Sequence, residues 1–326
     1  MSISAPNSPE HQSSVIPISL CFDVEPDERC VNPNKRTPWS GFEDLYGQFR
    51  LRRKVLEQAV GSPARFCWTL RLDPQIELAY GSADWVVKKY RSILDQLIAE
   101  GDEIGIHTHA WRWDTYSQKW IGEHQNDAWL EHCVRLSCGT YEKCFGQAAR
   151  VFRFGDRFMS DKVMRILEEL GIVCDLTPEP GHIAVRRLAA EELTTGWIPD
   201  YRRVPRSPYQ PSRFNFCKPA RFIPRKIWIL PLSTGHVKDG NDGAENLTMV
   251  MGFPFEAVRQ LLEQNLMSDG RPYIVAVART DVTLDSFTRS QFDLFLDHLA
   301  NHPLRQRFRF TTPLETLRLL NKQFKG

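Results

Sequence analysis

Ser19-Leu20-Cys21-Phe22-Asp23-Val24-Glu25 closes an apolar run that begins at Ile16 and ends in a carboxylate pair. Side chains at i and i+2 on an extended backbone share a face, so Asp23 and Glu25 emerge together from one strand tip. Further along, Glu103-Ile104-Gly105-Ile106-His107-Thr108-His109 repeats the arrangement with two imidazoles. Two carboxylates and two imidazoles at the ends of two early strands have the composition of a divalent-metal hydrolase site.

Around these tips, short apolar runs alternate with longer amphipathic ones. Strands are expected at 16–22, 65–70, 103–107, 151–154, 172–174, 227–232, 273–278 and 307–310. Helices are expected at 84–98, 129–145, 255–265 and 291–300. Another follows Ser160, with Val163, Met164, Leu167 and Leu170 inward. The last opens on the capping box Thr312-Pro313-Leu314-Glu315. Residues 178–226 are rich in Pro and Arg and read as an irregular excursion. Strand–helix alternation along the chain gives an α/β class with a mostly parallel sheet. Seven or eight such units suit a (β/α) barrel of the TIM-like kind better than a doubly wound sheet.

Composition narrows the function classes. The chain has 326 residues, 25% of them charged, with a net charge of +2. Nothing in that balance selects nucleic acid or a membrane as partner. No apolar stretch reaches the roughly 18–20 residues of a membrane span. Residues 1–14 are rich in Ser, Pro and Asn and lack the basic start and apolar core of a secretory signal, so they read as a disordered leader. Residues 15–326 read as one catalytic domain. None of the eight cysteines forms a C-x-x-C pair. Cys21, Cys67 and Cys174 sit in strand-like runs as small hydrophobes, and reduced thiols point to the cytoplasm.

In parallel α/β folds the active site is built after the carboxyl ends of the strands. The polar residues here cluster at those positions: Asp23 and Glu25, Arg71 and Asp73, His107 and His109, Arg153 and Asp156, Asp175, His236, and Arg279 and Asp281. Two histidines and one carboxylate make an open zinc site. A second carboxylate beside it can act as general base, with an arginine holding it ionised and oriented. Bland readings compete. Asp and Glu after a strand often cap helices, an exposed Arg153–Asp156–Arg157 cluster would contribute only ~0–1 kcal/mol, and Trp111 and Trp113 suit a core as well as a sugar platform.

These motifs resemble those of the NodB-homology polysaccharide deacetylases (carbohydrate esterase family four). Residues 19–25 resemble that family's first motif. Gly101-Asp102-Glu103-Ile104-Gly105-Ile106-His107-Thr108 is similar to its second, and Phe152-Arg153-Phe154-Gly155 with 167–175 to its third. The resemblance implies a distorted (β/α) barrel of seven or eight strands and metal-assisted removal of an N-acyl group from a sugar. It assigns Asp23 as general base, Glu25 and His107 as metal ligands, and Arg153 as the residue that orients the base. The family's second histidine lies four residues after the first, where this chain has Trp111, so His109 takes that role. The family's late histidine is replaced by Ala278-Arg279-Thr280-Asp281, and His236 stands in as general acid.

The expected protein is thus a cytoplasmic carbohydrate deacetylase using a divalent metal, zinc by preference. Its substrate is a glycan precursor, nucleotide- or lipid-linked. Arg71, Asp73, Trp111, Asp156, Arg279 and Asp281 would line the sugar pocket. Two rivals keep the fold: a metal-independent amide hydrolase and a non-catalytic glycan-binding protein.

Overall fold

The structure, a computed structural model, describes residues 15–188, 192–238, 244–268, 270–282 and 285–321. The leader expected at 1–14 lies outside the described residues. β1 (Ile16–Val24) is buried over its whole length. It is followed by α1 (Ser40–Val60), β2 (Cys67–Arg71), α2 (Pro74–Tyr80), α3 (Trp85–Lys89), α4 (Arg91–Ala99) and β3 (Glu103–Thr108). A hairpin of β4 (Trp111–Asp114) and β5 (Lys119–Glu123) precedes α5 (Asp127–Phe145), β6 (Val151–Phe154), α6 (Asp161–Glu169) and β7 (Cys174–Asp175). The irregular stretch after β7 contains β8 (Leu193–Thr195) and ends at β9 (Trp228–Ile229). A second hairpin, β10 (Thr234–Lys238) with β11 (Ala244–Thr248), leads to α7 (Phe255–Leu266), β12 (Ile274–Arg279), α8 (Ser286–Asn301), β13 (Phe308–Phe310) and α9 (Pro313–Leu320).

Seven strands lie in the order β12-β1-β2-β3-β6-β7-β9, and β13 pairs with the start of β1. Every pairing in this sheet is parallel. The sheet curls into an open (β/α) barrel. Backbone bonds from Ser233 to Val275 and between Val277 and residues 249 and 251 bridge part of the gap between β9 and β12.

The strand period sorts side chains to two cores. Leu20, Phe22 and Val24 of β1 face outward, into the large apolar layer under the helices. Cys21, Cys67, Val151, Cys174, Val275 and Val277 face inward, and Leu314 and Leu317 of α9 join them. The inward row of β1 therefore runs Ser19, Cys21, Asp23, and continues to Glu25 at the open end.

Several elements differ from the sequence expectation. The helix expected at 84–98 is two helices broken at Tyr90. α1 was hidden by the basic run Arg50-Leu51-Arg52-Arg53-Lys54, although its buried residues Phe42, Leu45, Phe49, Leu56 and Val60 keep helical spacing. Arg53 occupies a buried position of that face and donates to the Asp102 carboxylate and the Ala64 carbonyl. Asp102 also accepts from Trp68 Nε1 at 2.8 Å and Phe66 N at 3.0 Å, so this acidic residue of the second motif ties α1 to the start of β2. Gly101 before it has φ +88°, which a residue with a Cβ adopts only with strain.

Candidate metal and catalytic site

Adjacent parallel strands bring the two tips together. Register pairs Asp23 with Thr69, Arg71 with His107, and His107 with Arg153. The inward rows of β1, β2, β3, β6 and β12 thus deliver carboxylates, imidazoles and guanidiniums to one end of the barrel. They open into a cavity of about 440 Å³ lined by Asp23, Glu25, His107, His109, Arg153 and Arg279, among others.

Three ligand atoms, from Glu25, His107 and His109, lie within 4.8 Å of one another. His107 Nε2 is 3.0 Å from His109 Nε2 and 3.4 Å from Glu25 Oε1, and His109 Nε2 is 4.0 Å from Glu25 Oε2. A tetrahedral centre with bonds of about 2.0–2.2 Å spaces its ligand atoms about 3.3–3.6 Å apart, so the set fits a divalent cation with small adjustments. His107 Nδ1 donates to the Arg153 carbonyl at 3.1 Å, because a carbonyl only accepts. That bond leaves Nε2 bare, as a ligand must be.

His109 is held by two opposed groups. The Asp156 carboxylate lies 3.1 Å from Nδ1, and the Trp111 indole N–H donates to the same atom at 2.7 Å. The carboxylate favours a proton on Nδ1 and a bare Nε2. The indole favours the other tautomer, in which Nε2–H donates to His107. Burial pushes the His109 pKa down to about 4, helped by Arg71 and opposed by Asp156, so the ring is neutral near pH 7. A Cβ on Gly155 would collide with the His109 ring, so this glycine makes room for the histidine.

Asp23 accepts from Thr69 Oγ1 at 2.8 Å and from Arg153 Nε at 3.0 Å. Burial alone would raise its pKa, but His107, Arg153 and the Thr69 hydroxyl outweigh burial and hold it below the ordinary value. Glu25 is likewise buried, yet Arg279 and the two imidazoles keep it well below the usual carboxylate range. Arg71 Nη1 donates to Glu25 at 3.2 Å from beneath.

The far wall is built by residues that sequence patterns missed. Thr248 Oγ1 donates to Glu179 at 2.6 Å, which leaves its oxygen to accept from His182 Nε2 at 2.9 Å. Glu179 in turn accepts from Arg153 Nη2 at 3.5 Å. A continuous polar chain therefore runs from Asp23 to His182, and His182 also lines the cavity. Burial and Arg157 push its pKa down to about 4. Asp156 and Arg157 have φ of 57° and 55°, a strained pair for residues other than glycine. Bonds from Arg29 and His109 to the Asp156 carboxylate, and from Tyr201 Oη to the Arg157 carbonyl, hold them there.

The expected site residues divide into those that meet the cleft and those that do not. Asp23, Glu25, His107, His109, Arg153, Asp156 and Arg279 all line it. Four expected substrate contacts need correction. Arg71 and Asp73 are fully buried: Asp73 caps α2 and accepts from Arg71 and from His109 N, so both act beneath the site. Trp111 is buried in β4 and faces a separate groove with Trp113 and Trp120. Asp281 pairs with Arg279 and does not line the cavity; burial and Glu25 push its pKa up to about 6. His236 is also corrected. It lies on β10 with an exposed side chain, on the strand face away from the cleft that Glu245 and Leu247 help line.

Asp175, on β7, is the buried acid that nothing neutralises closely. Its Oδ1 accepts from Thr177 at 2.6 Å, but Oδ2 has no hydrogen-bond partner among the described residues. Burial pushes its pKa up to about 7. An acid with a raised folded pKa binds protons more tightly folded than unfolded. Its favourable contribution is full below about pH 4 and lost as pH rises through about 7. Asp175→Asn should therefore melt above the wild type at pH 8 and near it at pH 4. A difference that does not grow with pH would contradict this reading.

No family profile matches the sequence, and no curated protein matches it. Solved structures do. A protein assigned as a polysaccharide deacetylase from Mycobacterium smegmatis is 12% identical, with 99% of this chain and 95% of that chain covered and a TM-score of 0.52. A probable polysaccharide deacetylase from Pseudomonas aeruginosa PAO1 is 13% identical, with 96% and 93% covered and a TM-score of 0.53. The PuuE allantoinase is 12% identical, with 99% and 96% covered and a TM-score of 0.53. The fold is that of the NodB-like deacetylases. At such identities the likeness carries the NodB-like architecture alone, and residue roles rest on the geometry above.

Proposed function

We propose that this chain is a hydrolase that removes an N-acyl group, acetyl by preference, from a carbohydrate or glycan precursor. Supporting it is the convergence in one cleft of a Glu25–His107–His109 ligand set and an Asp23 carboxylate locked to Arg153. Glu25, His107 and His109 would hold a divalent cation, zinc by donor type, which supplies Lewis acidity toward the substrate carbonyl. Asp23 takes a proton from the attacking water. Arg153 keeps that carboxylate ionised and aimed. His182 replaces His236 as the candidate proton donor to the leaving nitrogen; Thr248 fixes its Nε2–H, and Nδ1 has no hydrogen-bond partner among the described residues. Neutral at rest, it would take up across the cleft the proton that Asp23 removes from water and pass it to the leaving nitrogen, so the cycle gains no proton. Arg279 and Arg157 suit the phosphate of a nucleotide- or lipid-linked sugar. We read 15–326 as one catalytic domain, in a reducing cytoplasm that suits eight unpaired cysteines. No helix among the described residues is long and apolar enough to cross a membrane.

The test is acetate release from a panel of N-acetylated nucleotide sugars, before and after chelation and zinc return. Release that is lost and restored supports the proposal; no release from zinc-loaded protein on any substrate overturns it. His182→Gln should slow amide cleavage about a hundredfold and cleavage of an activated aryl ester far less, since only the amine needs a proton to leave. Equal losses on both substrates would remove His182 from this role.

A second reading, an amide hydrolase on this fold that works without metal, is favoured by one contact. With the Trp111 N–H on His109 Nδ1, His109 Nε2–H on His107 and His107 Nδ1–H on the Arg153 carbonyl, every ring nitrogen has a partner and none is left for a cation. Trp111→Phe removes that N–H together with part of a buried ring, so it is read beside its melting temperature. The metal reading expects zinc to bind up to about tenfold tighter with activity kept. The metal-free reading expects activity to fall and zinc binding to stay as it was.

A further inference from the structure

The irregular stretch before β9 carries a surface unlike the rest of the molecule. Arg213-Phe214-Asn215-Phe216-Cys217-Lys218-Pro219-Ala220-Arg221-Phe222-Ile223-Pro224-Arg225-Lys226 holds five basic residues and no acidic one. Phe214 and Phe222 are each 91% exposed and Ile223 is 67% exposed. Single exposed apolar residues are ordinary on protein surfaces. Two phenylalanines almost wholly in water and an isoleucine two-thirds exposed within ten residues, among cations, are not.

The segment is seated rather than loose. Phe216 is buried, packs edge-on against Tyr201, and its carbonyl accepts from Tyr209 Oη at 2.8 Å. Arg225 is buried and donates to the Arg213 carbonyl at 2.8 Å and to Glu168 at 3.3 Å. Ser212 N donates to the Lys218 carbonyl, and Ser212 bridges to Pro224, so both ends of the segment are tied at one point. The acids around it are engaged elsewhere: Asp161 and Glu168 of α6 by Arg225, Glu169 by Arg135 and Asp200 by Arg202. Arg213, Lys218, Arg221 and Lys226 are exposed and form no ion pair among the described residues.

We propose that this segment docks the protein onto the surface of an anionic lipid bilayer. Exposed aromatic and aliphatic side chains suit the headgroup–acyl boundary, and unpaired Lys and Arg around them suit anionic headgroups. A nucleic-acid duplex would use the cations and leave the rings idle, and a single strand could stack on Phe214 and Phe222 but has no use for Ile223. A bilayer uses all three. The rings enter the interface, the cations stay at headgroup level, and Phe216 and Arg225 keep the platform in shape. The segment stands apart from the cleft, and its test needs no substrate.

The test is cosedimentation of the full chain with vesicles of phosphatidylcholine alone or with roughly 30% phosphatidylglycerol, which gives a negative surface potential. The wild type should bind the anionic vesicles and not the neutral ones, with binding weakened by salt. Phe214→Ser/Phe222→Ser should lower partitioning at least about tenfold. Arg213→Gln/Lys218→Gln/Arg221→Gln/Lys226→Gln should remove the dependence on anionic lipid. All six residues are exposed, so both variants should keep the wild-type melting temperature. Absence of wild-type binding to anionic vesicles overturns the proposal. So does binding that the charge variant loses but the phenylalanine variant retains, which marks a simple polyanion site. Self-association that the phenylalanine variant abolishes, without vesicle binding, assigns the patch to a second copy and overturns it as well.

Discussion

Asp23→Asn is expected to lower kcat about a thousandfold on an N-acetylated sugar while leaving metal content unchanged. The amide keeps the size of the carboxylate; its oxygen can still accept from Arg153, and its NH2 can donate to Thr69 Oγ1, whose own proton turns to the Phe22 carbonyl, so the fold and the cleft survive. It cannot take a proton from water. The loss should fall on kcat with little change in KM, since Asp23 is held by protein groups on both oxygens. The acidic side of the wild-type pH profile should reflect the same group. Asp23 and Glu25 both have pKa values below the ordinary carboxylate range. Groups of that kind contribute stability and function above their unfolded pKa and lose both as pH falls through the folded pKa. Activity should therefore persist well below pH 5 on account of these two acids. An Asp23→Asn enzyme with near wild-type turnover would remove the carboxylate from the chemistry.

His109→Ala is expected to weaken zinc binding by more than about a hundredfold, since even residues that merely orient a ligand are worth 10–100-fold. The prediction singles out His109 because it is the least secure member of the set: its Nδ1 is contested by Asp156 and Trp111. Gly155→Ala should act in the same direction with every ligand residue retained, because the added methyl displaces the His109 ring. Isothermal titration with zinc reads both. Wild-type affinity in the His109→Ala protein would place the ion elsewhere. The group Glu263, His298 and His302 is then the alternative among the described residues, although His302 Nδ1 accepts from Leu304 N, which puts the proton on the nitrogen that faces Glu263.

Much of the barrel was legible because strand periodicity is short and strict. An i, i+2 pair on β1 and another on β3 name four side chains that share a face, and parallel register then brings the faces together. Arg153 follows from the same register on β6. What strand order does not determine was lost. Glu179 and His182 lie in the Pro-rich segment after β7, and Thr248 arrives on a hairpin, so their meeting with Arg153 depends on loop paths that no period reports. A Glu-x-x-His pair just past a barrel strand was the available signal. Arg71 and Asp73 show the opposite error. Their strand-end position suggested substrate, but Asp73 caps α2 and draws Arg71 inward beneath Glu25. Trp111 suits a core as well as a sugar platform, and the β4–β5 hairpin has no apolar run that would decide between them.

Whether the two strand tips form one cation site is read out by anomalous scattering from a zinc-soaked crystal. We predict a single strong peak bonded to Glu25 Oε, His107 Nε2 and His109 Nε2, with the Trp111 indole no longer donating to His109. A crystal at saturating zinc with no peak between β1 and β3, and the His109–His107 hydrogen bond intact, would contradict it.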